Sequence, residues 1–178
     1  MSKYIHLAIT EQLNLIVPEI QMAEELFQLV DSDREHLRPF LSFLDSAREV
    51  EVQRKFIQTK LHGAAKGTDK LFFIAMDDKI IGSIDLHTID LKNQKAEIGY
   101  WIHSAYTKQH ITSKAVKRLC QYAFETLGLN KLTIMADTEN IASNAVAKSC
   151  GFTLLGTRKQ DIYLHDSFCD MNEYYLLK

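Results

Sequence analysis

The sequence predicts an α+β fold built on a mostly antiparallel sheet with one parallel crossover. Three observations predict it. Apolar and polar residues alternate near the N-terminus, a hairpin signature spans residues 71–86, and a long helical stripe at 111–127 separates two later strands. A strand-helix-strand unit of this kind is right-handed and parallel in almost all proteins. The predicted order is strand, helices, three strands, helix, strand, helix and two strands.

The first part of the chain is predicted to contain short strands and then helices. Odd-numbered apolar residues between 5 and 17 indicate one or two strands, and Pro18 stops strand pairing and opens a helix. Helical segments are predicted over residues 34–44, with Pro39 in an early turn, and over 48–61. Because two prolines and seven scattered glycines mark no linker, we expect residues 1–178 to form a single domain.

The second part of the chain alternates between strand and helix periods. Asn140 suits the N-cap of a short helix, and Gly128 and Gly151 lie where helix C-termini favour glycine. The predicted elements are strands at 71–76, 80–86 and 96–102, a helix at 111–127, a strand at 132–136, a helix at 141–149, and strands at 152–157 and 173–177.

Composition excludes several classes of protein. Lys and Arg number 21 against 23 Asp and Glu, a formal charge of −2, and the pI of about 6.4 argues against a general nucleic-acid binder. Cys120, Cys150 and Cys169 form no CxxC pair, which disfavours a disulfide framework and a metal cage. No apolar run reaches membrane length and the N-terminus is polar, so we expect a cytoplasmic protein without membrane contact.

The loop between Trp101 and Ile111 is a candidate anion site. It enters the longest helix, whose first N–H groups lack helical acceptors, and Lys108 and His110 add positive charge. A phosphate would fit such a loop. The alternative is an ordinary helix start that binds water or a cap, because the glycine-rich phosphate signatures are absent.

A second group of polar residues starts the following helix. Asn140, Ser143 and Asn144 would face the same sheet edge as the first helix start if the two preceding strands are parallel neighbours. The alternative is that Asn140 only caps the helix and the other two are ordinary first-turn residues. Glu97 lies in an otherwise apolar strand. It is either a buried base with a raised pKa or an outward-facing residue of the alternation.

Four strings, in this order, together resemble the GNAT acyltransferase superfamily, and within it the ribosomal-protein-serine/alanine N-acetyltransferase group. They are His36-Leu37-Arg38-Pro39-Phe40-Leu41, then Ala96-Glu97-Ile98-Gly99-Tyr100-Trp101-Ile102, then Asn140-Ile141-Ala142-Ser143-Asn144-Ala145-Val146-Ala147 with Gly151-Phe152, and the tail from Arg158-Lys159-Gln160 through Asp170 and Tyr174.

The resemblance implies a GNAT-like mixed, splayed sheet flanked by helices, with acetyl-coenzyme A (acetyl-CoA) as co-substrate between the strands of Trp101 and Leu132. The helices over residues 37–44 would wall the acceptor site. By resemblance, cofactor contacts come from the backbone near Trp101, Ile102 and His103, from the loop residues Lys108, Gln109, His110, Ile111, Thr112 and Ser113, and from Asn140 and Asn144.

Two features depart from the family pattern. Lys108 and His110 occupy glycine positions of the pyrophosphate loop, where glycine allows close approach and positive φ. The family also carries an acidic residue near Ile162, whereas this chain has Asp161 beside it, on the opposite face if the strand is regular.

The function implied is N-acetylation of a primary amine, with the N-terminal amine of a ribosomal protein as the leading acceptor. By resemblance, Glu97 is the candidate base, Ser143 protonates the departing thiolate, and a backbone N–H near Trp101 or Ile102 stabilises the oxyanion. The alternatives are a small-amine, polyamine or antibiotic acetyltransferase, and a noncatalytic GNAT-fold binding module with a degenerate loop. The resemblance also makes a homodimer plausible.

Overall fold

The structure is a computed structural model that describes residues 3–178, and its strands form one eight-stranded sheet. The strand order is β1-β2-β3-β4-β5-β6-β8-β7, and every neighbouring pair is antiparallel except β5 and β6. This arrangement confirms the predicted α+β class and its single parallel crossover. The strands are β1 (His6–Ala8), β2 (Leu13–Ile16), β3 (Lys70–Met76), β4 (Lys79–Asp90), β5 (Lys95–Ile102), β6 (Lys131–Asp137), β7 (Thr153–Leu164) and β8 (Ser167–Leu177).

Helices cover both faces of this sheet. The helices are α1 (Ala23–Asp31), α2 (Arg34–Leu37), α3 (Val50–Lys66), α4 (Ile111–Glu125) and α5 (Ile141–Ser149). Consecutive strand residues face opposite ways. Phe73 is therefore buried with α1 to α3, while Phe72 and Ile74 are buried with α4 and α5. No helix within residues 3–178 combines the length and the apolarity needed to cross a bilayer.

The prediction of one helix over residues 34–44 is wrong. Helix α2 ends at Leu37, and two 3₁₀ turns follow, Arg38–Phe40 and Ser42–Asp45. Pro39 explains the break because it has no N–H to donate to the preceding turn. The Arg34 guanidinium holds the shortened segment by donating to the carbonyl oxygens of Leu44, at 2.9 Å, and Ala47.

The C-terminal strands are longer than predicted. β7 and β8 form a hairpin that continues through residues 158–170, where charged and polar residues show no apolar alternation. Nearly all of β7 is exposed, so its residues do not need the apolar alternation by which a strand is predicted. Asp170 stabilises a bulge between Arg158 and Ile162 by accepting from Gln160 N–H at 2.9 Å and from Lys159 at 2.7 Å. The His165 ring at the hairpin tip lies 2.8 Å from the Arg38 carbonyl oxygen.

The sheet is splayed between β5 and β6, as the resemblance implied. The two strands pair only through Lys95–Lys131, Ala96–Leu132 and Glu97–Thr133. In contrast, β5 stays paired with β4 as far as Ile102. The end of β5 therefore has a strand neighbour on one side only, and a gap opens on the other.

Gly82 sets the distance between β4 and the end of β5. A Cβ at this position would overlap the Trp101 carbonyl oxygen and lie 3.0 Å from Ile102 Cα. We predict that Gly82→Ala lowers the free energy of unfolding by about 1–3 kcal/mol, the usual cost of overpacking. Urea unfolding measures this loss. Gly156→Ala is the matched control, because among residues 3–178 no heavy atom beyond its chain neighbours lies within 4 Å of the added Cβ. An equal loss in both variants would contradict the prediction.

Candidate active site

A cavity of about 450 Å³ opens at the splay. It lies between the end of β5, the loop before α4, the start of α5 and the turn after α2. The predicted wall of the acceptor site contributes Leu37, Phe40 and Leu41. The predicted site residues that line the cavity are Trp101, Ile102, Lys108, His110, Ile111, Thr112, Ser113, Asn140 and Ser143.

The backbone of β5 presents unpaired groups to the gap. The His103 N–H donates to Ile81 of β4 at 3.0 Å. Because successive N–H groups of a strand point in opposite directions, Trp101 also faces β4, whereas Tyr100 and Ile102 face the gap. Of the two N–H groups predicted as oxyanion donors, Trp101 and Ile102, it is the Ile102 N–H that faces the gap.

His103 does not have the free backbone predicted for it. Its carbonyl accepts from Tyr106 N–H at 2.9 Å, and its Nδ1 accepts from Ala105 N–H at 3.1 Å. The adjacent turn is anchored to the buried carboxylate of Asp33, which accepts from the Ser104 amide at 2.7 Å and hydroxyl at 2.6 Å. The His103 Nε2 lies 3.3 Å from Ser32 Oγ, so this residue also joins the loop to the junction of α1 and α2.

The loop before α4 keeps a glycine-like backbone without glycine. Lys108 has φ +60° and His110 has φ +58°, both in the left-handed region. Each such residue costs on the order of 1 kcal/mol, so the surrounding structure must stabilise this conformation. The first helical bond of α4 runs from Lys114 N–H to the His110 carbonyl, which leaves the N–H groups of residues 111–113 without helical acceptors beside the cavity. This geometry fits a pyrophosphate group.

Gln109 is oriented differently from its neighbours in the loop. Its side chain is exposed and donates to the Ala105 carbonyl at 3.2 Å. Within residues 3–178 it is not part of the cavity lining. The predicted cofactor contact of Gln109 therefore has no support from its position.

Asn140 caps α5, as predicted. Its Oδ1 accepts from Ser143 N–H at 3.0 Å, which fixes the first turn of the helix at the cavity.

Asn144, a predicted cofactor contact, is not part of the cavity lining among the described residues, and its side chain bonds within the protein. Its Nδ2 donates to the carbonyl oxygens of Asp137 and Asn140, both at 2.8 Å. Its Oδ1 accepts from Asn172 at 2.7 Å and from the Tyr174 hydroxyl at 2.8 Å. These four bonds use the full capacity of the amide, so none remains for a ligand.

Tyr100 is a site residue that the sequence reasoning missed. Its hydroxyl lies 3.0 Å from Ser143 Oγ and 3.3 Å from the Ser143 carbonyl oxygen, and both residues line the cavity. Burial raises the pKa of Tyr100 to about 12, so the phenol is neutral and can donate. Strand alternation places Tyr100 with Ile98 and Ile102 on the face toward α5, a signal that was available in the sequence.

Glu97 lies outside the cavity lining among the described residues, in a network of charged groups. Its Oε1 is 3.2 Å from His87 Nε2, and its side chain is one-third exposed. His87 Nδ1 is 3.4 Å from Asp85, which also accepts from Lys60 at 2.6 Å. Hydrogen bonds with Asp85 and Glu97 raise the pKa of His87 to about 9. Glu97 is thus a partly exposed, ion-paired carboxylate and not a buried one.

Asp161 lies within the bulge of β7. The expectation that it faces away from the Ile162 side assumes regular alternation, and the bulge interrupts that alternation between Arg158 and Ile162. Its carboxylate is 3.9 Å from Arg158 Nη1. The opposite-face argument therefore does not hold here.

The fold and this site are those of an acetyltransferase. Residues 12–153 match the model of the acetyltransferase (GNAT) domain family, and the chain belongs to that family. It is 31% identical over 166 residues to the ribosomal-protein-serine acetyltransferase of Escherichia coli (strain K12), with 93% of each chain covered.

Two solved structures show the same fold. A ribosomal L7/L12 α-N-protein acetyltransferase, RimL, in complex with coenzyme A, has a TM-score of 0.92 at 28% identity, with 97% of this chain and 98% of that one covered. The microcin C7 self-immunity acetyltransferase MccE, in complex with acetyl-CoA and AMP, has a TM-score of 0.91 at 25% identity, with 96% and 94% covered.

The protein is accordingly an enzyme that uses acetyl-CoA as its co-substrate. The residues present fit that molecule, since unpaired strand groups, a helix start with a glycine-like loop and a hydroxyl all face one cavity. Acetyl-CoA supplies an acyl thioester. In the described part of the chain, no group of three His, Cys, Asp or Glu side chains could hold a metal ion.

The contacts of His87 with Asp85 and Glu97 predict that the free energy of unfolding depends on pH. A histidine whose pKa is raised by folding stabilises the protein fully below its unfolded pKa, about 6.5, and this contribution is lost as the pH rises toward 9. We expect the free energy of unfolding to fall by up to about 3 kcal/mol across this range. Urea unfolding at several pH values measures it.

His87→Gln should remove this slope, whereas His62→Gln should keep it. His62 is exposed on α3, and its Nδ1 lies 2.9 Å from the Gln58 carbonyl oxygen. An unchanged slope in His87→Gln would show that another group titrates in this range.

Proposed function

We propose that the enzyme acetylates the N-terminal α-amine of a protein, with a ribosomal protein as the acceptor. The observation that carries the proposal is that one cavity is lined both by the loop before α4 and by residues 36–41, at the end of α2 and in the turn after it. Co-substrate and acceptor can therefore meet there. The relatives named as acting on ribosomal-protein serine and on L7/L12 support this acceptor class.

An α-amine is an easier acceptor than a lysine side chain, because the amine must be neutral to attack. Its pKa is about 7.7 to 8.0, against about 10.4 for lysine. At neutral pH, deprotonating lysine costs roughly 3.3 to 3.7 kcal/mol more, at 1.36 kcal/mol per pKa unit. The apolar side chains of Leu37, Phe40 and Leu41 favour the neutral amine further by removing water from it.

Each step of the acetyl transfer is assigned to a different residue. The amine nitrogen bonds to the carbonyl carbon while the Ile102 N–H donates to the oxygen that becomes negative. Glu97, which lies outside the cavity lining, takes one proton from the nitrogen through a water molecule and then releases it to solvent. The C–S bond then breaks with its electron pair on sulfur. The Ser143 hydroxyl gives sulfur a proton and regains one from solvent, so the net change is one proton from amine to thiol.

The other residues hold the co-substrate. Lys108, His110 and the N–H groups of Ile111, Thr112 and Ser113 would bind the pyrophosphate, and Asn140 would contact the pantetheine arm near its thioester. The backbone groups of Tyr100 and the carbonyl oxygen of Ile102 would pair with that arm as an added strand does, which leaves the Ile102 N–H for the oxyanion.

The proposal extends to the setting of the enzyme. Residues 1–178 would act as one domain in the cytoplasm, where ribosomal proteins are made, and would need neither a membrane nor direct nucleic-acid contact. The family resemblance supports a homodimer, for which sedimentation of the purified protein is the test.

A panel of amines tests the acceptor class. We expect thiol release from acetyl-CoA with a serine- or alanine-initiated peptide, and at least tenfold less with the same peptide N-terminally blocked and carrying one lysine. Mass spectrometry locates the added acetyl group. Faster transfer to spermidine or to a small amine antibiotic would favour the small-amine alternative. Binding of acetyl-CoA with no transfer to any amine would favour a noncatalytic module.

Ser143→Ala tests the proton donor. We expect turnover to fall about 100-fold, the usual contribution of a general acid, with the affinity for acetyl-CoA nearly unchanged in calorimetry. Ser46→Ala is the matched control, because the hydroxyl of that exposed serine donates to the Phe43 carbonyl in a turn that is not part of the cavity lining among the described residues. A large loss of affinity in Ser143→Ala would make Ser143 a binding residue instead.

A further inference from the structure

The hydroxyl groups of Tyr100 and Ser143 form a pair inside the cavity. Tyr100 Oη lies 3.0 Å from Ser143 Oγ, and in the described part of the chain each is the other's side-chain partner. Their elements are far apart in sequence, since Tyr100 belongs to β5 and Ser143 to α5. The pair therefore bridges the gap of the splay, where the thioester would lie.

Either hydroxyl of the pair can donate to the other, and the Tyr100 hydroxyl can also donate to the Ser143 carbonyl oxygen at 3.3 Å. The Ser143 backbone is held by the Asn140 cap, so its hydroxyl is the part of the residue that remains free to rotate. The phenol of Tyr100 is largely buried and keeps its proton, because burial disfavours the phenolate. A hydroxyl has a single hydrogen. When Tyr100 donates to Ser143 Oγ, the serine hydrogen turns away from Tyr100.

We propose that Tyr100 is a positioning residue that directs the Ser143 hydrogen toward the departing sulfur. The inference rests on the proposed role of Ser143. As the C–S bond breaks and its electron pair passes to sulfur, the Ser143 hydroxyl donates its proton there, and Ser143 regains one from solvent. Tyr100 keeps its own proton throughout, and its hydrogen bond stabilises the charge that builds up on Ser143 Oγ.

A thermal unfolding cycle on the free protein tests the pair without any reaction. Tyr100→Phe and Ser143→Ala should each lower the melting temperature, because each leaves a partly buried hydroxyl without its partner. The double variant should lose less than the sum of the two single losses. Strictly additive losses would overturn the pairing.

A kinetic cycle tests positioning. Tyr100→Phe should lower kcat about tenfold, with KM for acetyl-CoA and its calorimetric affinity within twofold of the wild type. In the Ser143→Ala background the same change should have no further effect, because Tyr100 acts through Ser143. Tyr122→Phe, on the α4 helix and packed edge-on against Phe72 outside the cavity, is the control that should keep full activity.

In the kinetic cycle of an active enzyme, two outcomes would overturn the inference. One is an unaltered kcat in Tyr100→Phe, and the other is an equal loss in both backgrounds, which would indicate a role independent of Ser143. A wild-type protein that transfers acetyl to no amine would overturn the proposed function and this inference together. An active wild type with an unaltered Tyr100→Phe would overturn the inference alone.

Discussion

The short parallel pairing of β5 with β6 is the constraint on which the site depends. It lasts for three residue pairs, while β5 continues beside β4 to Ile102. Strand groups that would normally bond to a neighbour are left facing a gap, and buried groups of this kind require a partner. The crossover through α4 also brings the starts of α4 and α5 to the same edge of the sheet. Backbone hydrogen bonding, an anion site and a hydroxyl thus meet at one cavity.

Two buried polar side chains hold the borders of the gap. On the β6 side, Asn144 connects the start of α5 to the carbonyl of Asp137 and to Tyr174 of β8. On the β5 side, the Asp33 carboxylate holds the turn at Ser104, just before the loop that carries His110. A satisfied buried polar group fixes geometry more narrowly than apolar packing does. Both sides of the co-substrate site are therefore anchored by hydrogen bonds instead of core packing alone.

Sequence periodicity predicted the elements that bury apolar residues, including the β5-α4-β6 crossover and the Asn140 cap. Periodicity did not predict features that depend on a single residue or on contacts between distant segments. The apolar spacing predicted one helix as far as residue 44, but Pro39 ended that helix earlier. The exposed strand β7 has no apolar alternation from which it could be predicted. The cofactor contact of Asn144 was inferred from the family resemblance, whereas the partners of its side chain lie in β6, in β8 and in its own turn. The Tyr100–Ser143 hydrogen bond likewise could not be predicted, because the fold alone brings β5 and α5 together.

Amide hydrogen exchange at the end of β5 tests the central claim that the gap accepts the pantetheine arm as a strand. NMR would follow the backbone N–H groups of Tyr100 and Ile102 with and without saturating acetyl-CoA. The Trp101 N–H, directed at β4, serves as the internal reference. We predict that acetyl-CoA slows exchange at Tyr100 and Ile102 at least tenfold relative to exchange at Trp101. Unchanged exchange at both residues, with binding confirmed by calorimetry, would contradict the account.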